Sequence, residues 1–307
     1  MRSLFAIVIG ILIVSLLTAC GNPQLPAEPS SGIAFMSMRD GDKEIYLIQP
    51  DGSGLIRLTK DPATDTDPTW SPDGRQIAFV TRRLGTNDVA VMNPDGSDLT
   101  ILVPDALETG FDEFMPTWSP DGETLAVVTD RYGFWGCAGH LVALLPPDGD
   151  KDDFRRPELI MGNQRSMAWS PDGRYLAYSS HCDSNTSISI YLWDRETGGN
   201  RPLIDHPSSN MYPAWSHDGR FLAFASNRTG NSEVFVLELA TGELTNLTRH
   251  PAKDIYATWS PDDSQLAFAT DRDGNREIYI VDADGSNPRN LTQHPGFDSL
   301  PAWSPVP

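Results

Sequence analysis

Six polar side chains stand five residues before six tryptophans: Asp65, Glu113, Gln164, Asn210, Asp254 and Asp298 precede Trp70, Trp118, Trp169, Trp215, Trp259 and Trp303. Four of the six are carboxylates, a set able to hold a cation or a basic peptide if it forms a ring. At ~10 Å, neighbouring carboxylates repel by roughly 0.4 to 1.7 kcal/mol per pair for dielectrics of about 80 to 20, so a ring calls for counter-charge. Arginines recur as well: Arg39, Arg82 or Arg83, Arg131, Arg228 and Arg272. Two readings fit. Either each polar group pairs with or caps a neighbouring loop, once per repeat, or the set forms a ligand-binding channel mouth. His206, His250 and His294 each precede a proline, nine residues before a tryptophan, where the first copy has Asp61. That recurrence reads as loop capping rather than metal ligation. The acidic segments Asp148–Asp153 and Asp271–Asn275 lack the twelve-residue ligand set of a calcium loop. With no G-x-S-x-G, H-E-x-x-H, Walker or G-x-G-x-x-G motif in the chain, no catalytic residue, metal site or cofactor is assigned.

The elements that carry these residues follow from repetition. PTWSPDG, MPTWSPDG, MAWSPDG, PAWSHDG, ATWSPDD and PAWSP recur, with tryptophans 48, 51, 46, 44 and 44 residues apart, a period of propellers and solenoids. Each unit continues with a strand holding alanine between larger apolar residues, such as Ile77-Ala78-Phe79 or Leu266-Ala267-Phe268. A third strand and a tight turn such as Asn93-Pro94-Asp95-Gly96 follow, then a fourth strand ending in Leu-Thr. Four strands with Gly and Asp at the turns make a propeller blade. The last unit supplies only a first strand, whereas Ile33-Ala34-Phe35, Ile45 to Ile48 and Leu58-Thr59 read as strands two to four. The expectation is an all-β, six-bladed β-propeller whose closing blade is shared by the C-terminal strand and the N-terminal strands. Closure removes the exposed edges of an open sheet.

If strand one runs from a face T to a face B, the SPDG turns lie on B and the loops of variable length lie on T, where sites usually sit. Strand one is innermost, so the position five before each tryptophan is expected at the T mouth of the channel. Reversals such as Asp254→Lys are then expected to abolish partner capture without unfolding. The repeat, LTxHPxxDxxPxWSPDGxxIAFxSxRxGNxEIYxxxxDG, resembles the TolB-type, WD-like propeller repeat over residues 31 to 307. The resemblance implies the fold strongly. It implies function weakly, because such propellers occur in a translocation protein, in prolyl oligopeptidases and in several lyases.

Outside the repeats, Leu4 to Leu17 is apolar except for Gly10 and Ser15, too short to span a bilayer and fitting a signal-peptide core. Leu17-Thr18-Ala19-Cys20 resembles the lipobox of bacterial lipoproteins, which implies acylation at Cys20 and cleavage before it. The expected organisation is a signal peptide over 1–19, a lipidated cysteine and tether over 20–31, and the propeller over 32–307. The resemblance implies an extracytoplasmic, membrane-anchored location in a bacterial envelope. In an oxidising compartment, Cys137 and Cys182, on T loops of adjacent blades, are expected to form a disulfide, the alternative being two separate thiols. Tyr132, Phe134 and Trp135 beside Cys137 either pack on that bridge or face a partner. The net charge of −19, from 42 acidic and 23 basic residues, argues against nucleic acid. Two functions remain: a monomeric non-catalytic module binding an unidentified protein or peptide, or a polysaccharide-active lyase or hydrolase with its site at the channel mouth.

Overall fold

The computed structural model describes residues 31–102, 112–130, 141–146, 166–180 and 187–307. Six antiparallel sheets form a β-propeller. Blade 1 consists of Asp65–Trp70, Ile77–Thr81, Asp88–Met92 and Thr100–Ile101. Blade 2 shows three strands among the described residues, Glu113–Trp118, Leu125–Thr129 and Leu141–Leu145. Blade 3 begins with Ser166–Trp169, blade 4 with Asn210–Trp215 and blade 5 with Asp254–Trp259. Blade 6 is the shared one: Asp298–Trp303 pairs with Ile33–Ser37, which continues into Glu44–Ile48 and Ile56–Arg57. Its seam sets Ile33 opposite Trp303 and Ser37 opposite Asp298.

Second strands such as Ile77–Thr81 and Leu125–Thr129 are buried at every residue, because both faces of a blade are covered by neighbouring blades. The core accordingly divides into clusters between adjacent blades. Trp70, Ile77 and Phe79 of blade 1, for example, pack on Ala34, Ile45 and Leu47 of blade 6. The tryptophans also stitch blades together: Trp70, Trp215 and Trp259 donate Nε1–H to the carbonyls of Ala302, Ala168 and Ala214, at 3.0, 3.2 and 3.2 Å.

The WSPDG motif owes its constancy to its turn. The serine hydroxyl donates to the aspartate two residues on and accepts the N–H five residues on, as Ser260 does with Asp262 (2.7 Å) and Gln265 (2.9 Å). The last turn residue is left-handed, with φ of 69 to 72° at Gly74, Gly122, Gly173 and Gly219, which glycine adopts without strain. In blade 5 that place is taken by Asp263, φ 58°, and in blade 4 the turn proline is replaced by His217. The two departures meet. Asp263 accepts the backbone N–H groups of His217 (2.8 Å) and Asp218 (2.9 Å), the first of which a proline could not provide.

Candidate functional site

Strand one of a blade is not a regular strand. In blade 1, Asp65 pairs with Thr81 and Trp70 with Ile77, but the register slips between Thr66 and Thr69. Equivalent irregularities occur in blades 2, 4, 5 and 6. At each of these β-bulges the residue three before the tryptophan is left-handed: Asp67 (53°), Met115 (50°), Tyr212 (58°), Tyr256 (59°) and Leu300 (57°). Non-glycine residues held there cost on the order of 1 kcal/mol or more each, and such outliers concentrate at functional sites. Together with Ser166 they line a central cavity of about 200 Å³. A bulge re-aims one side chain, and here it aims one at the axis in five of the six blades.

The expected channel-mouth ring is therefore placed differently. Asp65, Glu113, Asn210, Asp254 and Asp298 are fully buried and do not line the cavity. The bulge adds a residue and reverses the alternation, so position −5 shares the tryptophan's face inside the blade. Most of these groups engage the arginine that follows strand two. Arg83 Nη2 donates to Asp65 at 2.8 Å, Arg39 Nη2 to Asp298 at 3.0 Å, and Arg272 Nη2 to Asp254 at 3.2 Å. Arg228 Nη2 donates to the Asn210 carbonyl oxygen at 2.9 Å, and Glu113 accepts from Thr129 at 3.2 Å. Each of these arginines also lies over aromatic rings. The Arg272 carbon Cζ is 5.3 Å from the Phe268 ring centroid and 4.6 Å from that of Tyr279, within cation–π range. Of the two sequence candidates in blade 1, Arg83 rather than Arg82 makes the latch.

Burial pushes the Asp65 carboxyl up to about 6, against hydrogen bonding and the charge of Arg83. Asp254 and Asp298 are raised for the same reason. On the B turns the opposite holds: the Ser260 and Ser264 hydrogen bonds hold Asp262 at about 2, and Asp172 is lowered by Ser170. A carboxyl raised on folding stabilises most when protonated, and its contribution is lost as pH rises through 6. A carboxyl lowered on folding contributes above about 4 and loses that contribution as pH falls towards 2. Thermal stability is therefore expected to hold or rise from pH 7 to about 5 and to fall below about 4. A melting temperature that drops steadily from pH 7 to 5 in calorimetric scans would refute this.

The cavity chemistry is mixed. The Tyr212 and Tyr256 ring centroids are 4.1 Å apart at 46°, and Tyr256 donates to the Tyr212 hydroxyl at 3.4 Å. Burial raises the pKa of both the Tyr256 phenol and the Asp67 carboxyl, and Thr66 donates to Asp67 at 2.8 Å. Towards face B the channel widens into a second cavity of about 410 Å³, lined by tryptophans including Trp70, Trp118 and Trp169 and by turn prolines. The position three before each tryptophan carries no shared residue type that would single it out in the sequence. A proline follows it in four copies, and a proline inside a strand marks an edge or a bulge.

The histidines cap loops: His206, His250 and His294 accept through Nδ1 from the N–H two residues on, at 3.1, 3.1 and 2.9 Å. Asp61 does the same for Ala63 at 2.9 Å. Among the described residues no group of three or more His, Cys, Asp or Glu is arranged to hold a metal ion. Cys20, Cys137, Cys182, Gln164, Tyr132, Phe134 and Trp135 lie outside the described residues.

Residues 12–137 and 148–306 match the TolB beta propeller domain. The Tol-Pal system protein TolB of Geobacter sulfurreducens is 47% identical over 45 residues, 15% of this chain and 10% of that protein. The chain thus matches about a tenth of the length of that curated relative. The crystal structure of TolB from Acinetobacter baumannii superposes with a TM-score of 0.75 at 22% identity, covering 91% of this chain and 68% of that one. An oligogalacturonate lyase from Vibrio parahaemolyticus superposes with a TM-score of 0.56 at 15% identity, covering 84% and 89%, a likeness of fold alone. With the family match running through every blade, this chain belongs to the TolB β-propeller domain family.

Proposed function

We propose that this chain is a non-catalytic, lipid-anchored protein of a bacterial envelope whose propeller binds a protein or peptide through its T-face loops and central cavity. The observation that carries the reading is the divergence of one position. Strand two and the B turns are nearly constant from blade to blade, whereas the residue three before the tryptophan, left-handed in five blades, is Asp, Met, Ser, Tyr, Tyr or Leu in turn. A rigid frame that varies only where side chains meet the cavity is suited to recognising one asymmetric ligand. Two apposed phenols, a carboxyl and apolar neighbours fit a peptide segment with an apolar or aromatic anchor and a hydrogen-bonding backbone.

Membership of the TolB propeller family, with a relative named for the Tol-Pal system, supports an envelope setting. The Leu4 to Cys20 segment supports lipidation at Cys20 as the anchor, with 20–31 as tether. The loop bearing Tyr132, Phe134 and Trp135, held by a Cys137–Cys182 disulfide, belongs to the same contact face in this reading. Asp65, Asn210, Asp254 and Asp298 act on that face through the arginines they hold rather than by touching the ligand, and Glu113 and Gln164 are proposed to belong to the same face.

Cross-linked pull-down from intact cells tests the reading. Tyr256→Ala is expected to weaken capture at least about tenfold, the loss of one buried aromatic anchor, while the protein still unfolds in a single cooperative transition. Wild-type capture by Tyr256→Ala and by Tyr212→Ala alike would remove the cavity from the contact.

A further inference from the structure

The latch between strands one and two is electrically balanced in blades 1, 5 and 6, where a buried aspartate faces the arginine. Blade 4 keeps the posture and drops the charge. Arg228 Nε donates to Ser226 at 3.0 Å, and its guanidinium lies 5.5 and 4.8 Å from the Phe224 and Phe235 ring centroids, as Arg272 lies on its own pair of rings. Its partner, however, is the neutral amide of Asn210. That amide is fixed, because its Nδ2 donates to the carbonyl of Ser208 at 2.8 Å, so only the carbonyl oxygen can turn to the guanidinium.

No carboxylate among the described residues forms an ion pair with Arg228, although the chain as a whole carries −19. Glu233, five residues on in the same blade, is engaged by Asn246. Burial lowers the Arg228 pKa without an opposing carboxylate. Arg228 is half-buried and reached by solvent. Its Nη1 has no hydrogen-bond partner among the described residues, and two aromatic faces offset only part of the cost of a partly desolvated cation.

We infer that Arg228 is the receptor of a carboxylate-binding site on face T of blade 4, taking from outside the counter-charge that the sister blades carry in their own chain. The class of ligand follows from the sister latches, where the guanidinium edge is matched to a carboxylate, a geometry that suits the planar fork of arginine. The inference stands independently of any partner, because small anions probe it.

Arginine side-chain NMR of the full chain, at constant ionic strength, reads the site. Acetate is expected to shift the Arg228 Nε–H signal saturably, in the millimolar range, while Arg39, Arg83 and Arg272 stay still. A peptide with a free C-terminus and an amidated peptide bearing one aspartate distinguish a terminal from a side-chain carboxylate, and saturation by either supports the site. Asn210→Asp is expected to weaken acetate at least about tenfold. Because that change also loses the bond to Ser208, the reciprocal Asp254→Asn is included, and it should make Arg272 respond. The inference is overturned if acetate shifts Arg228 without saturation. It is equally overturned if inorganic phosphate saturates the site and acetate does not, or if both variants behave like wild type.

Discussion

Removal of residues 298–307 is expected to abolish cooperative unfolding of the whole propeller rather than to trim one blade. The deletion takes away Asp298–Trp303, which pairs with Ile33–Ser37, a strand with no exposed residue beyond 3%. It also removes the carbonyl of Ala302 that accepts from Trp70 at 3.0 Å in the next blade, and the carboxylate of Asp298 that holds Arg39. Loss of one buried tryptophan alone is worth about 3 to 5 kcal/mol, and a domain has only about 5 to 15 in total. Two newly open edges add an association hazard. Near-ultraviolet circular dichroism during heating is the measurement. A sharp transition within a few degrees of the full chain would show that the seam is dispensable.

The second large effect concerns the latches. Asp254→Lys is expected to lower the melting temperature by about 5 to 10 °C, from roughly 3 to 5 kcal/mol for breaking a buried ion pair. Asp254 is fully buried and accepts from Arg272 at 3.2 Å, so a lysine there sets two cations together in a closed space. This corrects the expectation that such a reversal spares the fold and reports only on capture. Asp254→Asn, the arrangement blade 4 already tolerates, should cost much less. Equal melting temperatures for the lysine variant and wild type in differential scanning calorimetry would contradict the burial of the latch.

Much of the fold was legible because its cues are local and repeated. Each WSPDG turn states its own backbone geometry, each Ile-Ala-Phe run states a strand covered on both sides, and the first strand lacking at one end was surplus at the other. The cavity was not legible by the same means. Asp65 was assigned to the channel mouth because strand one is innermost, whereas a bulge between Thr66 and Thr69, at Asp67 and Pro68, puts it on the tryptophan's face inside the blade. The proline carried that signal, but type similarity drew attention to the recurrent carboxylates instead. Among the described residues the recurrent polar groups proved to be frame, as the latches and the histidine caps show, and five of the residues meeting in the cavity share only their backbone angle. The Arg228 site depended on both levels: the Asn210 substitution is visible in the chain, but its meaning required the buried pairs of the other blades.

The seam sets a temporal order. Ile33 waits for Trp303, 270 positions later, and at about 5 to 20 residues per second the ribosome needs on the order of half a minute to make that stretch. Throughout translation the earliest strands have no permanent neighbour on one side, so a holding chaperone or prompt secretion has a clear window before the circle can shut. A contact of such sequence separation also forms slowly. The nascent polypeptide is thereby kept threadable for most of its synthesis, and becomes rigid only when its final strand is available.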